Sequence, residues 1–156
     1  MQKIKPCLWF EERAEEAVNF YVDLFGGKIT GKSHYGEGAQ RPAGEVLTID
    51  FEIQGQALQV LNGGPYVKFN DAVSLSVRCK DQAEVDRYWN ALTAEGGQEV
   101  QCGWLKDRFG LSWQIVPERL LELFNDPDKA KAQRAAQAMM QMKKIIIADL
   151  EKAAAS

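Results

Sequence analysis

The sequence predicts an α+β protein built from two copies of one βαβββ unit, followed by a helical tail. Three observations carry this prediction. Residues 4–10 form a short apolar run that leads into Ala14-Glu15-Glu16-Ala17-Val18-Asn19-Phe20-Tyr21 and then Gly26-Gly27. Residues 72–78 form a second such run, leading into Ala83-Glu84-Val85-Asp86-Arg87-Tyr88-Trp89 and then Gly96-Gly97. Short strand-like runs follow each diglycine, so one long unit occurs twice rather than a short one many times. Beyond Pro117 the composition shifts to Ala, Gln and Lys, which are strong helix formers. Paired modules usually build a site between them, so the repeat itself argues for a ligand cavity.

Each element has its own warrant. Ile4 to Phe10 reads as the first strand, with Pro6 at its start or on an edge because proline cannot donate to a ladder. Over residues 12–25, Ala14, Ala17, Val18, Tyr21, Leu24 and Phe25 recur at helical spacing. Gly26-Gly27 then ends the helix. A strand over 28–35 is followed by a polar, glycine-containing loop, Tyr35 to Pro42. In 44–53, Leu47, Ile49, Phe51 and Ile53 point one way and Thr48, Asp50 and Glu52 the other. Gln54-Gly55 turns the chain into a strand over 56–62. Asn62-Gly63-Gly64-Pro65 breaks that strand, and 63–71 links the modules.

The second copy reads as a strand over 72–79, a helix over 81–94 capped by Gly96-Gly97, and short strands near 98–101, 103–107 and 111–116. Asp107 to Gly110 makes the last hairpin turn. In the tail, 118–124 reads as a short amphipathic helix. Asp126-Pro127-Asp128 reads as a helix start, with a carboxylate cap and proline at the first helical position. Helices are expected over 128–142 and 144–154, and Met139, Met140 and Met142 form an apolar cluster for packing. The expected organisation is paired modules over 1–117 (1–65 and 66–117) and a helical extension over 118–156 that packs on the domain or a dimer interface.

Bulk properties narrow the function classes. At 156 residues the chain can bury an ample core without disulfide or metal. A net charge of −3 with no long basic run argues against nucleic acid or an anionic membrane as partner. The longest apolar run is far short of a membrane span. Cys7, Cys79 and Cys102 are odd in number, form no CxxC and lie in strand-like stretches, which reads as buried, reduced, structural thiols. With no signal-peptide pattern, the expected location is the cytoplasm.

Chemistry-bearing residues are sparse. The single histidine, His34, sits beside the polar loop. A Ser-His-Asp arrangement would depend on it, with no GxSxG nearby. Cys102 and Lys106 would share a face of an extended strand, which would lower the thiol pKa, although a structural thiol is the simpler reading. Asp50 and Glu52 share one strand face, so acid–base work is conceivable there. Trp9, Phe10, Trp104, Phe109 and Trp113 fall on or beside strands. Some can line an apolar cavity, with Asn62 and Gln114 as polar orienting groups.

Several segments together resemble a known family. They are Pro6-Cys7-Leu8-Trp9-Phe10, Ala14-Glu15-Glu16-Ala17 with Phe20-Tyr21, Leu61-Asn62-Gly63-Gly64-Pro65, and Lys68-Phe69-Asn70. Val85 to Trp89, Cys102 to Asp107, Phe109-Gly110, Ser112 to Pro117 and Gln141 to Ile145 continue the match. The chain resembles the vicinal oxygen chelate superfamily, which includes glyoxalase I and bleomycin-resistance proteins. Within it, the chain is most similar to the PhnB-like, 3-demethylubiquinone-9 3-methyltransferase-like group. One departure is Ile145-Ile146-Ile147, where related sequences tend to carry an acidic residue; it weakens the cap of the last helix and favours burial.

The resemblance implies half-barrel modules with a ligand on the concave face, and a homodimer. In metal-using members His and Glu ligands come from four strands. Here those positions fall near Pro6, at Asp50, at Ala72 or Ser74, and at Gln114, of which only Asp50 is a strong ligand. The expectation is therefore no metal and no cofactor. A metal-dependent lyase, isomerase or dioxygenase is the alternative, resting on Asp50, Glu52 and a substrate oxygen. The methyltransferase label is disfavoured, because Gly26 to Gly31 follows a helix and not a first parallel strand. The leading expectation is a small-molecule binder with Phe10, Asn62, Trp104 and Gln114 at the ligand. If the protein is an enzyme, Asp50 is the candidate base. A third class, an interaction module acting through the Met-rich tail, predicts that loss of 126–156 abolishes partner binding while the modules stay folded.

Overall fold

The computed structural model describes residues 2–156. The chain divides into two compact units, Met1–Phe69 and Asn70–Ser156. The first holds β1 (Cys7–Phe10), α1 (Ala14–Phe25), β2 (Gly27–His34), β3 (Val46–Ile53) and β4 (Gln56–Asn62). Its sheet has the order β1-β4-β3-β2, with β1 parallel to β4 and the other pairs antiparallel. Alternation decides which face α1 covers. Ile49, Phe51 and Ile53 of β3 and Leu58 and Val60 of β4 are buried, while Thr48, Asp50, Glu52 and Gln59 between them are not. The apolar stripe Ala14, Ala17, Val18, Tyr21 and Phe25 of α1 is buried with them. Gln54 and Gly55 both have positive φ, 47° and 79°, the geometry of a two-residue hairpin turn that follows the strand twist.

The second unit repeats the path. It contains β5 (Leu75–Cys79), α2 (Gln82–Thr93), β6 (Gln98–Glu99), β7 (Trp104–Lys106) and β8 (Ser112–Pro117). Its sheet order, β5-β8-β7-β6, has the same single parallel pair, β5 with β8. Val85, Tyr88, Trp89 and Leu92 form the buried stripe of α2. The turn from β7 to β8 is built differently from its counterpart. The Asp107 carboxylate, 2% exposed, accepts the Phe109 and Leu111 N–H groups on Oδ1 and the Trp113 Nε1–H on Oδ2.

Three helices complete this unit: α3 (Glu118–Phe124), α4 (Lys129–Met139) and α5 (Ile147–Ala155). Leu120, Leu123, Ala135, Ile145, Leu150 and Ala154 form their own core, with Met139 and Met142 packed against it and Met140 exposed. Two sets of bonds tie this tail to the repeat. Cys102 N–H donates to the Met142 carbonyl and Gly103 N–H to that of Lys143, each at 2.8 Å. The Gln82 amide of α2 donates to the Ile145 carbonyl at 3.0 Å and accepts the Ile147 N–H at 2.8 Å. Ile146 at the N-cap of α5 has no capping side chain, so Gln82 supplies from outside what Ile145-Ile146-Ile147 cannot. A side chain at Gly103 would meet the Ile115 carbonyl at 3.0 Å and Ile145 at 3.1 Å, which explains the glycine there.

Several sequence expectations need correction. The cap of α4 is Asp128, whose carboxylate accepts the Ala130 and Lys131 N–H groups. Asp126 instead accepts the Asp128 N–H, and Pro127 lies before the cap. Helix α2 ends at Thr93, and the chain first turns left-handed at Glu95, so the diglycine lies beyond the cap. Gly97 is there because a Cβ would meet the Leu92 carbonyl at 2.6 Å. Of the cysteines only Cys79 is buried. Cys7 is exposed, and Cys102 is half-buried at a left-handed turn rather than in a strand.

Candidate functional site

Each sheet has an open face opposite its helix. On the first, β3 and β4 place Asp50 beside Gln59, and the Gln59 amide donates to Asp50 Oδ1 at 3.0 Å. Lys5 Nζ reaches the same oxygen. Ser33 and Thr48 share a hydroxyl hydrogen bond at 2.5 Å, and Lys28 lies 3.8 Å from Glu52. Crowding around the Cys7 thiol, and secondarily the Asp50 charge, push it above the ordinary thiol value, against the pull of Lys5. Trp9 donates from Nε1 to the Gly64 carbonyl, and its ring lies so close to Gly63 that a Cβ there would meet it at 2.2 Å. The polar groups of this face are thus largely spent on one another.

The open face of the second sheet carries a cleft of about 560 Å³. Leu75 and Cys79 turn toward α2, so Ser76 and Arg78 turn to the cleft. Register places Ser76 and Trp104 beside Gln114, and Arg78 beside Val116. Leu120, Leu121 and Phe124 of α3, with Met139 of α4, form an apolar wall. The Gln114 amide is oriented by donating to Ser74 Oγ at 3.0 Å. Cys102 joins the lining from a left-handed turn before β7, not from the strand itself, and Lys106 lies 3.6 Å from Asp71.

Trp104 and Gln114 therefore meet in one cleft. Phe10 and Asn62 are placed elsewhere. Phe10 is 2% exposed and stacks edge-on with Phe69, with ring centroids 5.1 Å apart. Asn62 is buried. Its Oδ1 accepts the Ala14 N–H at the start of α1, and its Nδ2 donates to the Val46 carbonyl. It thus replaces the missing cap of α1, where Arg13 holds a left-handed conformation and its side chain makes no capping bond to the helix backbone. Asp50 lies on the open face of the first sheet, already bonded. Sequence reading missed Arg78. Its only signal is the alternation Leu75-Ser76-Val77-Arg78, which assigns a side but no role.

The donor set does not fit a catalytic metal. Among the described residues no three His, Cys, Asp or Glu side chains converge. Asp50, the one strong donor at the positions the resemblance implies, is ion-paired to Lys5. Cys79 is no ligand either, since burial pushes its thiol up to about 12, with Glu84 and Asp81 adding to the effect. Among the described residues no helix is long and apolar enough to cross a membrane.

Comparison with known proteins agrees with the topology. A family model described as 3-demethylubiquinone-9 3-methyltransferase matches residues 2–116. No curated protein matches. The PhnB protein from Bacillus cereus is 32% identical, covering 74% of this chain and 99% of that one, with a TM-score of 0.68. Protein PA1353 from Pseudomonas aeruginosa is 25% identical, covering 75% and 98%, with a TM-score of 0.62. The fosfomycin resistance protein FosX from Listeria monocytogenes, solved with Mn(II) and sulfate, shares the fold at 13% identity, covering 74% and 92%, with a TM-score of 0.51. By its family match over residues 2–116 and its likeness to the PhnB protein, the chain belongs to the PhnB-like, 3-demethylubiquinone-9 3-methyltransferase family.

Proposed function

We propose that the protein binds a small, largely apolar molecule in the cleft of its second unit, without a metal. The observation that carries this reading is the cleft itself. Its volume, about 560 Å³, lies in the ordinary range for small-molecule sites, and an apolar helical wall faces a floor with a few polar groups. Trp104 supplies a large flat contact and Gln114 a pre-oriented amide.

A methyltransferase reading has less support. The turn from β1 into α1 is Glu11-Glu12-Arg13, without glycine, and the first N–H of α1 is taken by Asn62. The turn into α2 is closed by Asp81, which accepts the Glu84 N–H. Neither turn is the glycine-rich turn after a first parallel strand that would hold a methyl donor such as S-adenosylmethionine. An enzymatic reading needs a base, and both donors on Asp50 occupy the same carboxylate oxygen.

The test uses N-phenyl-1-naphthylamine, a neutral probe that fluoresces in apolar surroundings, titrated with and without EDTA. Saturable binding of one probe per chain, unchanged by EDTA, is expected. Trp104→Ala should weaken it about tenfold, equivalent to about 1.4 kcal/mol. Asp50→Asn should leave affinity within about twofold, a difference worth less than about 0.5 kcal/mol. Bound probe should slow alkylation of Cys102 and leave that of Cys7 unchanged. Loss of binding in EDTA, or indifference to Trp104→Ala, would reject the reading.

A further inference from the structure

We infer that the cleft selects anions: its ligand is an apolar body carrying one carboxylate, sulfonate or phosphoryl group, held by Arg78. This rests on the reading of the cleft given above and names the class of ligand. Of the arginines in the sequence, Arg78 alone finds no partner among the described residues. Arg13 pairs with Glu16, Arg41 with Glu45, Arg108 with Glu95, and Arg119 with Glu122 and Glu151. Arg134 donates to the Ala154 carbonyl, and Arg87 lies over the Tyr88 ring.

The surroundings sharpen the point. No residue lining the cleft is acidic, so the guanidinium leaves the lining with one uncompensated positive charge. Arginine stays charged at any physiological pH, and its fork of donors matches the oxygens of an anion. Position is fixed by the strand: Leu75 and Cys79 turn to α2, which forces Arg78 toward the cleft. Ser76 lies on the same face two residues away, beside Gln114, which in turn is beside Trp104. Two residues along a strand span about 7 Å. Trp104 lies two strand spacings across the sheet from Ser76, so the Arg78 and Trp104 backbones are about 12 Å apart. The preferred ligand therefore spans from a ring or chain resting on Trp104 and the wall of α3 to the guanidinium.

The experiment compares two probes that differ in one group. 1-Anilinonaphthalene-8-sulfonate is N-phenyl-1-naphthylamine carrying a sulfonate. At low ionic strength the sulfonate should bind the intact protein about tenfold more tightly than the neutral probe, an advantage that shrinks as salt is added. Arg78→Gln should remove the advantage and leave the neutral probe within about twofold, while Arg78→Lys should retain part of it, since the charge survives without the fork. Equal binding of the two probes, or an advantage that survives Arg78→Gln, would overturn the inference and leave the apolar cleft standing. Failure of the neutral probe to bind, or its indifference to Trp104→Ala, would overturn the underlying reading and the inference with it. Thermal melts of both variants establish that the fold is intact before binding is compared.

Discussion

The two units follow the same path of strands and helix, yet their open faces differ in chemistry. On the first, Lys5, Asp50 and Gln59 satisfy one another, and Ser33 and Thr48 do the same. On the second, Trp104, Gln114 and Arg78, which pairs with no carboxylate among the described residues, lie beneath an apolar wall. The buried face of each sheet must fit its helix, which fixes register, and a slip of one residue would turn that face outward. The open face carries no such obligation. One repeat can close its polar groups on themselves while the other keeps them for a ligand, which is why fold alone does not name a function.

The contrast extends to the hairpins, where the largest effect is expected. Asp107→Ala takes the shared acceptor from two backbone N–H groups and the Trp113 indole, and should cost about 3 kcal/mol or more in urea unfolding. The change at the matching turn of the first unit, Gly55→Ala, brings its Cβ within 4 Å of no atom. It should cost only the strain of a positive φ, about 1 kcal/mol. Similar losses at the two turns would erase the distinction. Next in size is Gln82→Ala, which breaks two bonds from α2 to the tail. A loss of about 2 kcal/mol is expected, with faster hydrogen exchange at the Ile147 amide.

The smallest effect concerns Asp86. Lys144 and Gln82 bond its carboxylate and hold its pKa below the ordinary carboxylate value. A depressed folded value contributes stability that is present above the unfolded pKa and lost as pH falls through the folded one. Because the pair is exposed, Asp86→Asn should cost about 0.3 kcal/mol at neutral pH. Urea midpoints for wild type and variant should converge in acid; a gap that widens there would reverse the assignment.

Much of this architecture was legible in the residues. Ile49, Phe51 and Ile53 alternate with polar neighbours, and Gln54-Gly55 allows the turn that follows, so β3 and β4 could be read directly. Trp104 and Gln114 are grouped by residue type with Phe10 and Asn62, and it is the register of β7 against β8 that sets the first two side by side. Other features depend on contacts distant in sequence. Asn62 reads as a ligand-orienting amide until α1 is found to need its oxygen. Cys102 reads as a strand residue until the tail is seen to take its N–H. Asp126 and Asp128 both qualify as caps by type, and only backbone geometry separates them. Arg78 acquires meaning only because no carboxylate among the described residues pairs with it, and spacing along a chain cannot report that.

The family match ends at residue 116, one residue short of the end of β8, so the wall made by Leu120, Leu121, Phe124 and Met139 lies wholly outside the part that defines the family. Floor and wall can therefore change by separate histories. Substitutions in the repeat must answer to a shared scaffold, whereas the tail can be lengthened, shortened or rewritten provided Gln82 still finds a backbone to grip. Relatives with the same two sheets can then diverge in ligand preference through an appendage.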